Sequence, residues 1–551
     1  MIAAEALLRA LRANGVEHVF ANAGSDFAPV IEALAGADSD AIPEMVAVAH
    51  EAVAVAMAHG FWLATGRMQA AMVHVNVGLA NAVMGLINAH SDDVPVMMLA
   101  GRTPLTETGR TGSRTSPIQY GQEQFDQTGM VRDLVKWSYE LRHGDQVAGL
   151  IDRAASVARA APSGAVYLGL PREPLCEEVP APPARPRQVA PVAPVPDPVA
   201  IAEAAARLAR AERPLILCSR GDASGAVSEA LAALLAHRPM PVAEVFVTRN
   251  VLPSRHPCMA GPNLARLLSE ADAVLVLDTP VAWIESAARP AEGAFVCHVG
   301  PDPLFGRLPV RGYRADMSIA GDVAAALRLL CEALPARDAD DRTTRLHAAF
   351  RDRVDAMWKD GATGIASKAW LGKCLSDALA PHGGVVVAER GPTAAMMDMG
   401  HGGTFFGNTQ AGGLGWAMPA ALGMQFADRD RLVACAIGDG SYMFANPVAC
   451  HHVAAARHLP LLTVVANNSA WDAVRTSTTD VFPDGAASRA NTMPMTRIEA
   501  APDFCAVARS CDAHALRVET ADALPDAMAE AVRVVREERR QVLLDVVVRP
   551  D

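Results

Sequence analysis

Two oxygen-bearing side chains stand where two apolar strands in the C-terminal third of the chain are expected to end. The runs Leu432–Ile437 and Leu461–Ala466 are short and apolar, which is typical of strands buried in a parallel sheet. The first leads into Gly438-Asp439-Gly440, which predicts a tight turn, and the second leads into Asn467-Asn468. Because parallel strands bring their carboxyl ends to one edge of a sheet, Asp439 and Asn468 are predicted to face a common point. A carboxylate and an amide oxygen suit Mg²⁺, which takes its other ligands from phosphates and water.

This pattern of Gly-Asp-Gly, 26 further residues and Asn-Asn resembles the cofactor motif of the thiamine diphosphate-dependent decarboxylases and synthases. The resemblance implies that Asp439, Asn468 and the backbone carbonyl of Ala470 bind Mg²⁺. It also implies that the diphosphate lies along three residues around the turn: Gly438, Gly440 and Ser441. From the residues alone, an ordinary strand–helix–strand crossover with glycine and asparagine at its turns would give the same pattern.

An acid near the N-terminus is expected to be partly buried. Glu51 follows the predicted strand Met45–Val48 and precedes the helical, almost wholly apolar segment Ala52–Thr65. A buried carboxylate is a good proton-sharing partner, although an acid at this position also stabilises a helix N-terminus. Residues 50–67 resemble the glutamate helix of the same family. The resemblance implies that Glu51 hydrogen-bonds the aminopyrimidine of the cofactor and thereby activates the thiazolium carbon as a nucleophile.

A glycine-rich segment, Gln410–Pro419, is the third candidate element. Gly412, Gly413 and Gly415 surround Leu414, so this backbone can fold closely around a ligand, although the run is also typical of a turn before a helix. The family resemblance implies that Gly413 and Leu414 contact the cofactor and that Leu414 is the apolar wedge that bends it. A bent cofactor has its amino group near its reactive carbon, which is catalysis by positioning.

Several stretches look closest to the benzoylformate decarboxylases within this family. They are His18–Ser25, His74 followed by Gly78 and Asn81, Leu134–Glu140, and Arg255–Cys258. Carried over, Ser25 would hydrogen-bond the substrate carboxylate and His74 would transfer protons at the reacting carbon. Trp471 and Ala473 would complete the substrate pocket. The residues alone leave non-functional interpretations open. Ser25 needs no function, because serine is common in turns. The alternation of apolar residues around His74 also fits a buried structural histidine.

This chain departs from that pattern at two places. The benzoylformate decarboxylases have a second active-site histidine in the middle domain, and the best-matching stretch here has Glu285 instead. The family's usual Asn-Asn-Gly is Asn-Asn-Ser here, and Trp471 and Asp472 are predicted to lie near the substrate mouth. These changes favour a substrate other than a plain aromatic 2-oxo acid, or carbon–carbon bond formation over simple decarboxylation. The pair His451-His452 lacks a third ligand at metal spacing, so we interpret it as structural.

Length and composition limit the class of protein. A chain of 551 residues exceeds one hydrophobic core, and three domains are expected. The net charge of −12 argues against nucleic acid as a partner, and no apolar run approaches the ~20 residues of a membrane span. The ten cysteines show no metal-ligand spacing and are typical of thiols in a reducing compartment. The first residues predict an amphipathic helix rather than a signal peptide, so we expect a cytoplasmic protein.

The alternation of helices and strands predicts an α/β protein with three doubly wound domains and mostly parallel sheets. The expected boundaries are a pyrimidine-binding domain at 1–180, a Pro-rich linker at 181–198, a middle domain at 199–335, a charged connector at 336–365, and a diphosphate-binding domain at 366–551. The turn at Gly221–Gly225 is not a dinucleotide fingerprint, so the middle domain is expected to be structural rather than flavin-binding. The first and third domains are candidates for two copies of one topology.

The expected elements include helices at Ala3–Ala13, Leu79–His90 and Pro525–Arg539. The remaining predicted strands are His18–Ala21, Ala70–Val77, Pro95–Ala100, Val166–Leu170, Leu215–Cys218, Val274–Leu277, Phe295–Val299 and Val542–Val548.

The resemblance implies a thiamine diphosphate- and Mg²⁺-dependent enzyme that decarboxylates a 2-oxo acid without oxidation and in some cases joins the product to a second carbonyl. An acetolactate synthase-type carboligase, a 2-hydroxyacyl-CoA lyase and a non-catalytic cofactor-binding regulator are the alternatives. No cluster of basic residues for a CoA phosphate is evident in the sequence, and Glu51 would not be needed for binding alone. In the family each site takes Glu51 and the metal motif from different subunits, so a homodimer or homotetramer is expected.

Overall fold

A computed structural model describes residues 1–490 and 493–550. Within them the strands form three sheets, of six, five and six strands, in which all the paired strands are parallel. The first sheet contains β1 (His18–Asn22), β2 (Glu44–Ala47), β3 (Gln69–Val73), β4 (Val96–Arg102), β5 (Trp137–Glu140) and β6 (Val166–Pro171). The second contains β7 (Pro214–Cys218), β8 (Val242–Glu244), β9 (Ala273–Leu277), β10 (Phe295–Gly300) and β11 (Met317–Ala320). The third contains β12 (Val385–Glu389), β13 (Phe405–Phe406), β14 (Val433–Gly438), β15 (Leu462–Asn467), β16 (His514–Val518) and β17 (Val542–Val547). The predicted α/β class with parallel sheets is confirmed.

Helices connect these strands. In the N-terminal part they are α1 (Ala3–Ala13), α2 (Ala28–Gly36), α3 (Glu51–Thr65), α4 (Val75–Ser91), α5 (Ile118–Gly121), α6 (Val147–Arg159) and α7 (Arg172–Cys176). The middle part has α8 (Pro198–Arg210), α9 (Ala226–His237), α10 (Leu264–Glu270), α11 (Val323–Ala333) and α12 (Asp341–Gly361). The C-terminal part has α13 (Lys368–Leu379), α14 (Ala417–Ala427), α15 (Asp439–Phe444), α16 (Pro447–Ala456), α17 (Asp472–Val481), α18 (Ala486–Arg489), α19 (Phe504–Arg509) and α20 (Leu524–Arg533).

The first and third sheets have the same topology. The first runs β2-β1-β3-β4-β6-β5 and the third runs β13-β12-β14-β15-β17-β16, which is the same order when each set is counted from its own first strand. Their central strands are wholly buried, as expected for parallel strands with helices on both faces. In this order the chain reverses direction across the sheet beside the first strand, and such a switch point leaves a crevice at the carboxyl edge.

Packing divides the chain into two compact units. The first contains residues 1–192, 409–429 and 448–459, and the second contains the other described residues. Helix α14 therefore belongs to the first unit although it is far from the rest of that unit in sequence. Within the described residues, every helix is too short or too polar to span a membrane. All ten cysteines are thiols rather than disulfides.

Three predicted elements need correction. The strand expected at Ala70–Val77 ends at Val73, and α4 begins at Val75, because the apolar alternation there continues into a buried helix. The connector expected at 336–365 is mostly α12, a helix of 21 residues. Its apolar residues recur at helical spacing, and Leu346, Val354 and Trp358 are buried. The helix expected at Pro525–Arg539 ends as α20 at Arg533 and continues as a π-helical turn.

Candidate active site

Three predicted functional residues of the first unit follow neighbouring strands of the first sheet. Ser25 follows β1, Glu51 begins α3 after β2, and His74 directly follows β3. Since β1 lies between β2 and β3 and all three are parallel, these residues share one edge of the sheet. Glu51 is 8% exposed and accepts a hydrogen bond of 3.0 Å from Asn81 Nδ2. The expected burial of Glu51 is therefore confirmed.

His74 is held by an acid that sequence reasoning did not single out. Its Nδ1 lies 2.5 Å from Asp26 Oδ1, and Gln122 Nε2 lies 3.2 Å from its Nε2. Because the carboxylate can only accept, Nδ1 carries the proton in this pair. The hydrogen bond to Asp26 raises the pKa of His74 against the opposing effect of burial, and the charges of Asp26 and Glu51 add to the increase. The imidazole is thus oriented and inclined to hold a second proton.

The backbone around this pair is tightly constrained. Asp26 Oδ2 accepts the amide of Val75, a β-branched residue with φ of 31° at the start of α4. A side chain at Gly24 would overlap the His74 ring, and one at Gly101 would overlap the Asp26 carboxylate. Strain of this kind at a β-branched residue persists only where its surroundings enforce it, and it is concentrated at functional sites.

The glycine loop is fixed to the far end of α4. Asn88 Oδ1 accepts from the Gly413 amide at 3.1 Å and from Thr409 Oγ1 at 2.7 Å, and Asn88 Nδ2 donates to the Gly413 carbonyl. Gly412 and Gly415 have φ of 66° and 86°, which glycine adopts without steric cost. The loop is therefore held through its backbone, and Leu414 between the two glycines is partly exposed.

Glu51 and the glycine loop lie at opposite ends of a packed pair of helices. Glu51 begins α3, and the loop leads into α14. A Cβ on Gly60 would overlap the carbonyl of Ala420, and one on Gly423 would overlap the carbonyl of Met57, so the two helices pack closely and antiparallel. Glu51 lies against Gly78, whereas Gly413 is bonded to Asn88, ten residues further along α4. That separation is about 15 Å at 1.5 Å per residue.

In the second unit, Asp439 connects the two halves of the Gly-Asp-Gly and Asn-Asn motif. It is 4% exposed, and its Oδ2 accepts the amides of Asn468 at 3.1 Å and Ser469 at 2.6 Å. Its Oδ1 accepts the Gly440 amide at 2.7 Å. Burial raises the pKa of Asp439, and these amide hydrogen bonds oppose the increase. The carboxylate is thus fixed where β14 and β15 end side by side.

The expected tight turn at Gly438-Asp439-Gly440 is not formed. Gly438 is extended and ends β14, and Asp439 starts α15 directly. A Cβ on Gly440 would overlap the indole of Trp471, so this glycine makes room for a side chain of the protein. Ser441 is buried one residue further on, while Ala473 is exposed at the start of α17.

The two asparagines are each held by a carboxylate. Asn467 Nδ2 donates to Asp545 Oδ1 at 2.9 Å, and Asn468 Nδ2 donates to Asp472 Oδ2. The Asn468 Oδ1 atom accepts the Ala470 amide at 3.0 Å. Their oxygens therefore point toward the loop backbone, and their amide nitrogens point away from it.

The donors around Asp439 fit a hard divalent cation. One carboxylate, one amide oxygen and a backbone carbonyl lie on the adjoining segments Asp439 and Asn468–Ala470, and such oxygens suit Mg²⁺ better than softer metals. Elsewhere in residues 1–490 and 493–550, no cluster of three or more His, Cys, Asp or Glu side chains could hold a metal.

Two other residues singled out from the sequence have local contacts. Glu285 is exposed, and its Oε1 accepts from Trp283 Nε1 at 2.7 Å within the middle part of the chain. His451 is buried on α16 whereas its neighbour His452 is exposed, so the two side chains lie in different surroundings.

Sequence reasoning missed three buried polar residues that hydrogen-bond to the candidate site residues or their neighbours. Asp26, Asn88 and Asp545 are all buried and bonded to groups distant in sequence. A polar residue inside an otherwise apolar run was the available signal, and Asp545 in the strand Val542–Val547 shows it most clearly.

Three family models match successive parts of the chain. The N-terminal TPP binding domain of the thiamine pyrophosphate enzymes matches residues 1–130, the central domain matches 201–330, and the C-terminal TPP binding domain matches 391–546. Together they match parts of all three parallel sheets.

Individual relatives extend over nearly the whole chain. Benzoylformate decarboxylase from Pseudomonas aeruginosa is 28% identical over 97% of both chains, and an acetolactate synthase large subunit from Parasynechococcus marenigrum is 26% identical over 96% of this chain and 85% of its own. A 4-hydroxybenzoylformate decarboxylase structure from Rhodococcus jostii shares the fold with a TM-score of 0.80 at 23% identity, covering all of both chains. The chain therefore belongs to the thiamine pyrophosphate enzymes, a thiamine diphosphate-dependent family with both decarboxylase and carboligase members.

Proposed function

We propose that this enzyme uses thiamine diphosphate and Mg²⁺ to decarboxylate a 2-oxo acid without oxidation. The observation that carries the proposal is the buried Asp439 carboxylate, which joins the ends of β14 and β15 through the amides of Asn468 and Ser469. Mg²⁺ would be held by Asp439, Asn468 and the carbonyl of Ala470, with the diphosphate along Gly438, Gly440 and Ser441. The bound cofactor supplies a nucleophilic carbon and an acceptor for the electrons released as CO₂ leaves.

The first unit would handle protons. Glu51, buried and bonded to Asn81, would hydrogen-bond the pyrimidine of the cofactor and share its proton. His74, with its raised pKa, would donate to the reacting carbon or its oxygen. Ser25 would hydrogen-bond the substrate carboxylate, and Trp471 and Ala473 would form the remainder of the substrate pocket.

The separation between Glu51 and the glycine loop supports a site shared by two copies of the chain. Leu414 as the wedge and Glu51 as the proton-sharing acid would both contact the bent cofactor, the wedge at the bend and the acid at the pyrimidine. Within the first unit these two elements lie about 15 Å apart along α4. The enzyme is accordingly proposed to be at least a homodimer, and a homotetramer if dimers pair.

Carboligation is the second candidate reaction. The carboxylate of Glu285 replaces the second histidine of the benzoylformate decarboxylases, and it is engaged by Trp283. Without that histidine, a product that stays bound longer before protonation could add to another carbonyl. Similarity to an acetolactate synthase supports the same alternative. A CoA-ester lyase and a non-catalytic regulator have no comparable support.

The test is a substrate panel. Protein with thiamine diphosphate and Mg²⁺ is incubated with linear, branched and aromatic 2-oxo acids, while CO₂, aldehydes and acyloins are measured. We expect CO₂ with an equal amount of aldehyde or, if carboligation dominates, two CO₂ for each acyloin formed from two molecules of the 2-oxo acid. No CO₂ from any 2-oxo acid, despite bound cofactor, would contradict the proposal.

We further propose the domain boundaries predicted from the sequence, with the connector at 336–365 formed mostly by α12, and a cytoplasmic location. The thiol state of all ten cysteines supports a reducing compartment.

A further inference from the structure

The loop that follows β15 depends on how the Asn468 amide is turned. Asn468 Nδ2 donates to Asp472 Oδ2, and its Oδ1 accepts the Ala470 amide at 3.0 Å. The oxygen and nitrogen of an asparagine are nearly equal in size, so packing alone does not choose between the two orientations. A carboxylate only accepts hydrogen bonds, so the Asp472 carboxylate requires the NH₂ group of Asn468, rather than its oxygen, to face it.

We propose that Asp472 is a positioning residue for the metal site, which fixes the Asn468 amide with its oxygen toward the cation. This inference rests on the proposed function, because it requires Asn468 to be a ligand. Asp472 touches neither the cation nor the substrate in this account. It acts through Asn468, as outer carboxylates act on the ligands of other metal sites.

Two features of its surroundings favour the position of the Asp472 carboxylate beside Asn468. Lys368 Nζ at the start of α13 lies 3.8 Å from Asp472 Oδ2, and the two side chains are 11% and 17% exposed. Asp472 also begins α17, where a negative charge is stabilised by the helix dipole. The Asp472 carboxylate therefore stands beside Asn468 as a hydrogen-bond acceptor.

The neighbouring asparagine provides an internal parallel. Asn467 Nδ2 donates to Asp545, which is paired with Arg517 at 2.5 Å, and Asn467 Oδ1 accepts the Ser469 amide at 3.2 Å. The arrangement is the same at both asparagines. A basic side chain pairs with a carboxylate, the carboxylate accepts from the asparagine Nδ2, and the asparagine Oδ1 accepts a backbone amide. At Asn467 the oxygen holds the loop backbone. At Asn468 the oxygen is additionally available to a metal.

The experiment measures metal binding rather than turnover. Mn²⁺ is titrated into protein with thiamine diphosphate, followed by calorimetry and by the electron paramagnetic resonance of the bound ion. We expect Asp472→Ala to weaken Mn²⁺ binding by about 10- to 100-fold, the usual effect of losing an outer-sphere partner. Asp472→Asn retains an acceptor oxygen and should lose less. Asp480→Ala, an exposed acid on the same helix, should bind like the wild type.

A double-mutant cycle separates positioning from simple charge or helix stability. If Asp472 acts through Asn468, adding Asp472→Ala to Asn468→Ala should not weaken Mn²⁺ binding further. Unchanged Mn²⁺ affinity in Asp472→Ala, or losses that add in the double variant, would overturn the inference. If Asp472→Ala fails to fold, Asp472→Leu, which removes the acceptor but keeps the side-chain volume, replaces it, and unchanged Mn²⁺ affinity in that variant would overturn the inference. A wild-type protein that binds no Mn²⁺ with the cofactor would refute the proposed function itself.

Discussion

The first and third sheets have one topology and two different carboxyl edges. In each, the third strand in chain order ends beside the switch point, and a polar residue follows it: His74 after β3 and Asp439 after β14. Each edge also contains a buried carboxylate that accepts backbone amides. In the first sheet Asp26 is shared between an imidazole and one amide, whereas in the third Asp439 is surrounded by three amides.

Strand order thus determines where each site lies, and the residues just beyond the strands determine its chemistry. A carboxylate paired with histidine forms an edge that holds and moves protons. A carboxylate among amides and asparagine oxygens forms an edge that suits a hard cation. Substitutions that change one edge at a time should therefore have different effects on binding and on turnover.

The largest effect is expected at the carboxyl edge of the third sheet around Asp439, called the metal edge below. Asp439→Ala removes the only carboxylate among the proposed ligands and the acceptor for three amides, so Mg²⁺-dependent binding of thiamine diphosphate should be abolished. Isothermal calorimetry measures it, with Asp439→Asn as the variant that retains an acceptor but loses the charge. Wild-type cofactor affinity in Asp439→Ala would show that Asp439 is not a metal ligand.

At the carboxyl edge of the first sheet around Glu51 and His74, called the proton edge below, loss of the Glu51 carboxylate should not weaken cofactor binding. Glu51→Gln should leave cofactor affinity nearly intact and lower turnover by roughly 10²-fold or more, the scale of a lost acid–base step. Steady-state kinetics with calorimetry on the same samples separate the two effects. Glu32→Gln, an exposed change on α2, is the matched control. Full turnover in Glu51→Gln would remove the proposed contrast between the edges.

A smaller effect is expected from the acid behind His74. Asp26→Asn removes a charge-assisted hydrogen bond and should lower kcat/KM by about tenfold, since such a bond contributes about 1.5 kcal/mol. The folded-state pKa of His74 is raised, so the pair stabilises the fold fully below about pH 6.5 and this contribution is lost as pH rises through the raised pKa. Denaturant titrations from pH 5 to pH 9 should show the stability gap between wild type and variant shrinking with pH. A gap that grows with pH would contradict the pairing.

A different kind of effect, on stability alone, concerns the packing of α3 against α14 in the first unit. Gly60→Ala forces a Cβ into the Ala420 carbonyl and should reduce the free energy of unfolding by about 1–3 kcal/mol. Gly149→Ala in α6 meets nothing within 4 Å and should be neutral or stabilising by up to about 1 kcal/mol. Thermal unfolding compares them. Equal effects of the two substitutions would show that α3 and α14 do not pack as described.

Local patterns predicted the elements well and the long-range contacts poorly. Asp439 and Asn468 were accessible because each directly follows an apolar run, and adjacency of β14 and β15 brings them together. Asp26 was not, because its contact with His74 spans 48 residues and depends on β1 lying beside β3. The tight turn at Gly440 was expected from composition, but the space is taken by Trp471, a residue of another segment. Helix α12 was missed because its charged residues conceal a narrow apolar stripe.

The most direct test of the account mixes two inactive variants in one oligomer. Differently tagged Glu51→Gln and Asp439→Ala chains are co-expressed, and the species that carries both tags is isolated and assayed for decarboxylation. If each site takes its proton edge from one copy and its metal edge from another, the mixed dimer contains one intact site of two and should regain about half of the wild-type turnover. A mixed dimer as inactive as either parent would mean that each chain builds its site alone, which contradicts the account.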